Sequence, residues 1–224
     1  MSNFKAWKCY LTLHRRGEYD AAMAAYRAAH QKGFTAVTPL AAFGVLLLKS
    51  GDFDTALTIF DGMLKRSIPK TQRRLAVINR ALVWWKLGRQ DEAVEALYKM
   101  RKEYPSRIAH GCLCYVLFAT GRLEEAREAT IEAMDYCDDA VFFDTMGQIC
   151  FVENQWPEAA EYFAKALKIQ STADSLYHLA VIRYDGGQKE EALDLMEQAL
   201  EQSFSALATI SREQVQDKLA EWEA

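Results

Sequence analysis

One skeleton occurs six times along the chain. It reads GEYDAAMAAYRAAH, GDFDTALTIFDGML, GRQDEAVEALYKMR, GRLEEAREATIEAM, NQWPEAAEYFAKAL and GGQKEEALDLMEQAL. An alanine common to the copies falls at Ala22, Ala56, Ala93, Ala126, Ala159 and Ala192, giving separations of 34, 37, 33, 33 and 33 residues. A period of this length marks one supersecondary unit that cannot bury its apolar face alone, so the copies must stack on one another. That constraint overrides the one or two globular domains that a length of 224 residues would otherwise suggest.

Each alanine follows a turn marker, Gly17, Gly51, Gly88, Gly121, Asn154 or Gly187, residue types that tolerate the left-handed conformation ending a helix. An acid comes next, at Asp20, Asp54, Asp91, Glu124, Glu158 and Glu190, where negative charge meets the positive end of a new helix dipole. In Asn154-Gln-Trp-Pro-Glu, Pro157 adds a first-turn proline whose missing N–H costs nothing. Apolar residues then recur at three- and four-residue spacing, as at Ala159, Tyr162, Phe163, Ala166 and Leu167, and the same spacing precedes each marker, as at Leu40, Phe43, Gly44 and Leu47. Every copy is therefore a helical hairpin. Gly44, Ala81, Cys114, Gly147 and Ala180 each lie seven residues before a marker, where a small residue lets the first helix of the pair approach the second; Tyr10 breaks this rule in the first hairpin.

On these residues the chain resembles tetratricopeptide repeat proteins, whose unit has a small residue in the first helix, a turn glycine, and an alanine and an aromatic in the second. The aromatic matches at Tyr26, Phe60 and Phe163 and is replaced by Leu97, Thr130 and Met196; the closing proline matches only at Pro105. The resemblance implies an all-α solenoid, a right-handed superhelix whose first helices line a concave groove. Six hairpins are expected at about 3–36, 37–70, 74–106, 107–139, 140–172 and 173–204. The 37-residue gap is expected to lengthen the loop near Ser67 to Arg74, and Ser211-Arg-Glu-Gln214 reads as a capping box opening a C-terminal capping helix within 205–224.

Chemistry is sparse. His110 and Cys114 share a helix face, but Cys112 points elsewhere and no second ligand pair follows, so packed thiols outweigh a metal site. None of the four histidines has a local nucleophile signature and no phosphate-binding glycine loop exists, so neither an enzyme nor a cofactor is expected. Five scattered cysteines, the lack of a long apolar run and an amino terminus without signal-peptide character predict a cytoplasmic chain with no membrane span.

The candidate site is the groove. Projecting the first helix of each hairpin puts Trp7, Leu11, Leu48, Leu82, Trp85, Tyr115, Phe118, Phe151, Tyr177 and Tyr184 on the face turned from its own partner helix. An apolar stripe of that extent marks an interaction surface, although packing between hairpins claims part of it. Lysines and asparagines for a two-carboxylate clamp, the family's chaperone-tail mode, are limited to Asn79 and Lys86. A basic rim, Lys65, Arg66, Lys70, Arg73 and Arg74, lies in a segment from Gly62 to Gln90 that has no acid. Residues 1 to 110 carry 19 Lys and Arg against 9 Asp and Glu, and residues 111 to 224 carry 8 against 22, so the halves stand at +10 and −14. The acidic half and the hydrocarbon groove disfavour nucleic acid. Two functions remain: a scaffold or adaptor holding an apolar segment of another protein, or self-association through oppositely charged halves.

Overall fold

The structure, a computed structural model, describes residues 2–223. Its regular structure is helical throughout the described residues, and none of its helices is long and apolar enough to cross a membrane. The chain divides into two compact units, Met1–Met100 and Arg101–Ala224.

The first unit contains α1 (Ser2–Thr12), a 3-10 turn at His14–Arg16, α2 (Tyr19–His30), α3 (Val37–Ser50), α4 (Phe53–Leu64) and α5 (Lys70–Lys86). The next helix, α6 (Gln90–Glu103), starts in this unit and ends in the second. The second unit continues with α7 (Arg107–Ala119), α8 (Leu123–Tyr136), α9 (Ala140–Val152), α10 (Trp156–Ile169), α11 (Ala173–Asp185), α12 (Lys189–Glu201) and α13 (Arg212–Glu223). Helices α1, α3 and α5 pack side by side in the first unit, and α7, α9 and α11 do so in the second, forming an inner row in each.

The repeated residues explain the pairing. Backbone φ is positive at all six turn markers, 62° at Asn154 and 76–86° at the five glycines, so each first helix closes with a left-handed turn that redirects the chain. The six shared alanines are each 0% exposed, and so are Tyr26, Phe60, Leu97, Thr130, Phe163 and Met196 four residues further on. Those two positions form the seam of every hairpin. At Gly44 an added Cβ would stand 2.8 Å from Phe60 Cζ, and at Gly147 it would stand 2.8 Å from Phe163 Cδ1 and Cε1. The missing side chain is what lets the aromatic ring of the second helix lie against the backbone of the first.

Helix starts are secured in two ways. Ser106, Thr172 and Asp139 cap α7, α11 and α9 with their own side chains, accepting from Ala109 N, Ser175 N and Val141 N at 3.2, 3.2 and 2.9 Å. Ala36, which precedes α3, has no such oxygen. Asn3 of α1 instead fixes the segment leading into the helix, its Oδ1 accepting from Thr35 N at 2.7 Å and Ala36 N at 3.0 Å.

The extra residues between the second and third hairpins enter both the loop and the helix that follows it. The connection 65–69 is longer than 104–106, 137–139 and 170–172, and α5 runs for 17 residues against 14 in α3 and 13 in α7. Pro69 fixes φ at −54° just before the helix, and its carbonyl accepts from Arg73 N at 2.9 Å, so the helix nucleates as soon as proline permits. The capping box at α13 is formed: Ser211 N donates to Gln214 Oε1 at 2.7 Å and Gln214 N to Ser211 Oγ at 3.2 Å.

Candidate functional site

In the first unit the inner row offers an apolar stripe along α1. Ala6 and Cys9 are buried, with the Cys9 thiol donating to the Ala22 carbonyl of α2 at 3.5 Å. The flank turned from α2 carries Phe4, Trp7 and Leu11, which are 75%, 41% and 53% exposed. Phe4 was outside the projected groove, yet its three-residue spacing from Trp7 puts it on the same stripe. Trp7 leans edge-on against Tyr10 at 5.8 Å, and Tyr10 stacks on His14 at 5.6 Å, so the tryptophan is held from behind.

Further along this row the expected surface shrinks. Leu48 and Leu82 are only 1% and 8% exposed, because α3 and α5 close against each other and draw both residues into the packing. Trp85 stays half-buried, with the Lys86 ammonium 4.4 Å from its ring centre. Burial holds the Lys86 ammonium below its ordinary pKa.

The basic rim is partly spent on structure. Arg66 Nη2 donates to the Thr35 carbonyl at 2.9 Å, and Arg73 Nη2 to the Arg66 carbonyl at 2.9 Å, so these two side chains staple connecting segments together. Arg74 is half-buried, whereas Lys65 and Lys70 are exposed. Nearby, Arg80 pairs with Asp61 at 3.1 Å, and the Arg80 and Arg89 guanidiniums stand 4.2 and 4.6 Å from the Trp84 ring centre.

In the second unit the C-terminal end of the chain covers part of the inner row. Tyr177 and Val181 pack into a cluster with Ile210, Val215, Leu219 and Trp222, and Tyr184 stacks on Trp222 with ring centres 4.1 Å apart and planes 5° from parallel. Tyr177 and Tyr184 thus meet α13, which lies beside α11 and α12 as a first helix of a further hairpin would. Phe118 and Phe151 are half-buried, the latter edge-on to His178 at 5.0 Å. Tyr115 donates its hydroxyl to the Leu207 carbonyl in the connection between α12 and α13.

Beside Tyr115 lies a polar cluster that sequence reading missed. Asp144 of α9 accepts from the Ser175 hydroxyl of α11 and from Gln148 Nε2. Burial pushes the Asp144 carboxyl up to about 7, against the hydrogen bond from Ser175. Asp174 accepts from both the backbone N–H, at 2.8 Å, and the hydroxyl of Thr209. Burial raises the Tyr115 phenol, and the charges of Asp174 and Asp144 raise it further, which puts all three groups within electrostatic reach of one another. Asp144 and Asp174 looked like ordinary helix polars in sequence because each is recognised only through a partner a repeat away.

The His110 and Cys114 pair packs rather than converges. His110 stacks on Tyr136 at 5.0 Å, and burial pushes Cys112 up to about 12 and Cys114 to about 11. Among the described residues no three His, Cys, Asp or Glu side chains gather where a metal ion would sit, and the five cysteines are free thiols.

A tetratricopeptide repeat family model matches residues 42–108 and 147–206, and a second model of that description matches 108–129. No curated protein sequence matches the chain. Solved structures do. A thermophilic TPR protein of Thermus thermophilus is 23% identical with a TM-score of 0.67, covering 84% of this chain and 99% of that one. A tetratricopeptide repeat protein of Parabacteroides merdae is 16% identical with a TM-score of 0.70, covering 94% and 80%. PilF of Pseudomonas aeruginosa is 16% identical with a TM-score of 0.60, covering 98% and 97%. Identities this low speak for the fold.

Proposed function

The chain belongs to the tetratricopeptide repeat family, and from that premise we propose that it is a protein-interaction scaffold or adaptor that holds an apolar segment of a partner protein against its inner helices. The observation that carries this reading is the α1 stripe, where Phe4, Trp7 and Leu11 stay exposed on a helix whose other flank is already packed. Three large apolar side chains left in water at one face hold burial energy that an occupant would realise, at roughly 25 cal/mol per Å² of apolar surface covered. Trp85 continues the surface in the first unit, and Phe118 and Phe151 offer half-buried aromatic ground in the second. Lys65 and Lys70 are rim charges that steer an acidic flank of the partner more than they hold it. Five free thiols fit a reducing compartment, which favours the cytoplasm as the place of action.

Site-specific photo-crosslinking tests the reading. A photoreactive phenylalanine placed at Trp7 or Phe151 is expected to crosslink a partner polypeptide in the native host, while the same residue at the exposed outer-helix position Glu161 is not. Equal labelling from Glu161 and Trp7 would sink the inner-face assignment. Trp7→Ser with Leu11→Ser should then abolish capture at unchanged helicity, since aromatic anchors of an interface often carry about 2 kcal/mol or more each.

A further inference from the structure

The connection between α12 and α13 spans residues 202–211, whereas 104–106, 137–139 and 170–172 suffice to lead into α7, α9 and α11. Its base is pinned shut. Arg212 donates to the Leu200 carbonyl at 2.8 Å and the Gln202 carbonyl at 3.1 Å, and its guanidinium stands 4.7 Å from the Phe204 ring centre. The segment above that clamp is a compact loop with adjoining ends, a form that is frequently functional. It turns on itself, Ala208 N donating to the Ser205 carbonyl at 2.9 Å and Leu207 N to Ser205 Oγ at 3.1 Å.

This loop crosses the inner row of the second unit. Its tip meets Tyr115 on α7 through the Leu207 carbonyl, and its far limb meets Asp174 on α11 through the Thr209 backbone and hydroxyl, so it passes α9 between them. The bonding groups are a carbonyl, an N–H and a hydroxyl, none of them charged, presented to a phenol and a carboxylate. Helix α13 is anchored by its own Val215, Leu219 and Trp222, and the loop adds Phe204 and Ile210 to the same cluster, so the stretch outside that core is 205–209.

We infer that the 205–209 tip of this loop is an internal ligand, and that Tyr115 and Asp174 beneath it form a recognition site for an uncharged, threonine-bearing turn of a partner protein, which binds by displacing the tip. The inference rests on the inner-face reading above and adds the chemistry of one occupant. Tyr115 reads a main-chain carbonyl and Asp174 reads a threonine two residues on. The loop competes at very high effective concentration, so affinity for an outside segment is reduced by the fraction of molecules in which the loop is lifted.

The test is fluorescence anisotropy with a labelled peptide of residues 205–209, SALAT, added to the full chain. Leu207→Gly with Thr209→Gly raises the loop's freedom and removes its hydroxyl while leaving the Arg212 clamp and the α13 anchors in place. That variant is expected to bind the peptide at least roughly ten-fold more tightly than the parent, and adding Tyr115→Phe and Asp174→Asn is expected to abolish the gain at unchanged circular dichroism. Equal affinity of parent and loop variant overturns the inference, as does a gain that survives the floor substitutions. A loop variant that loses helicity shows the segment to be structural and overturns it too. If the loop variant gains nothing while crosslinking from Trp7 still finds a partner, this inference fails and the scaffold reading stands.

Discussion

At the scale of single residues, the inner face of the second unit combines apolar packing with one carboxyl whose charge is disfavoured. Asp144 is surrounded by Ser175 and Gln148 as donors and has Asp174 as a like charge nearby. Its carboxyl titrates near 7 in the folded chain instead of at the ordinary 3.8. A raised carboxyl pKa means that the folded state holds a proton which the unfolded state releases, so stability from this group is greatest below the unfolded value and falls as pH rises through the folded one. The gap between 3.8 and about 7 bounds the loss at about 4 kcal/mol, and water reaching the part-exposed side chain reduces it. Asp144→Asn keeps hydrogen-bonding capacity without the charge. Its melting temperature relative to the parent should therefore be higher at about pH 8, with the advantage shrinking steadily towards about pH 5. A difference that does not change with pH would remove Asp144 from the set of buried acids.

At the scale of elements, the hairpin was legible and the depth of its packing was not. The turn markers, the shared alanines and the seven-residue offset to Gly44 and Gly147 all report relations between helices adjacent in sequence, and the structure places the markers at left-handed turns and the alanines, Gly44 and Gly147 at the seam. Leu48 and Leu82 escaped the reading because helix projection gives the direction of a side chain but not how far the next inner helix sinks beside it. The α5 extension escaped it because a 37-residue spacing says that residues are added, not whether they join the loop or the helix. The path of the 202–211 loop to Tyr115 joins residues 92 apart, a separation at which repeat periodicity carries no information. The seam itself can be tested. Gly44→Leu must displace the Phe60 ring, whose Cζ would stand 2.8 Å from even a lone Cβ, so destabilisation of about 1–3 kcal/mol or more is expected in thermal or urea unfolding. Gly187→Ala meets nothing within 4 Å and pays only for its left-handed backbone, φ 83°, a cost of about 1–2 kcal/mol. A Gly44→Leu protein that unfolds with the parent would show that the ring yields without cost and that the close approach is not what sets the register.

At the scale of the whole molecule, the charge gradient along the sequence and the apolar surface of the inner rows make opposite demands on association. The first 110 residues stand at +10 and the rest at −14, which favours head-to-tail contact between copies at low salt. The exposed side chains of α1, by contrast, include the stripe of Phe4, Trp7 and Leu11, with Lys8 at its edge and Lys5 beyond it, so an occupant of the stripe buries hydrocarbon while the lysine heads stay in water at its margin. Salt separates the two. Exposed charge pairs lose most of their attraction as the screening length falls from about 14 Å near 50 mM to about 4 Å near 500 mM, and apolar burial is little affected over that range. Partner capture through α1 should therefore persist across the series, changing by less than about three-fold, while any self-association seen by light scattering at low salt should disperse. Capture that disappears with salt in parallel with the scattering would make the charged halves, and not the α1 stripe, the functional surface; capture that persists in salt and is lost in Trp7→Ser with Leu11→Ser would assign it to the stripe.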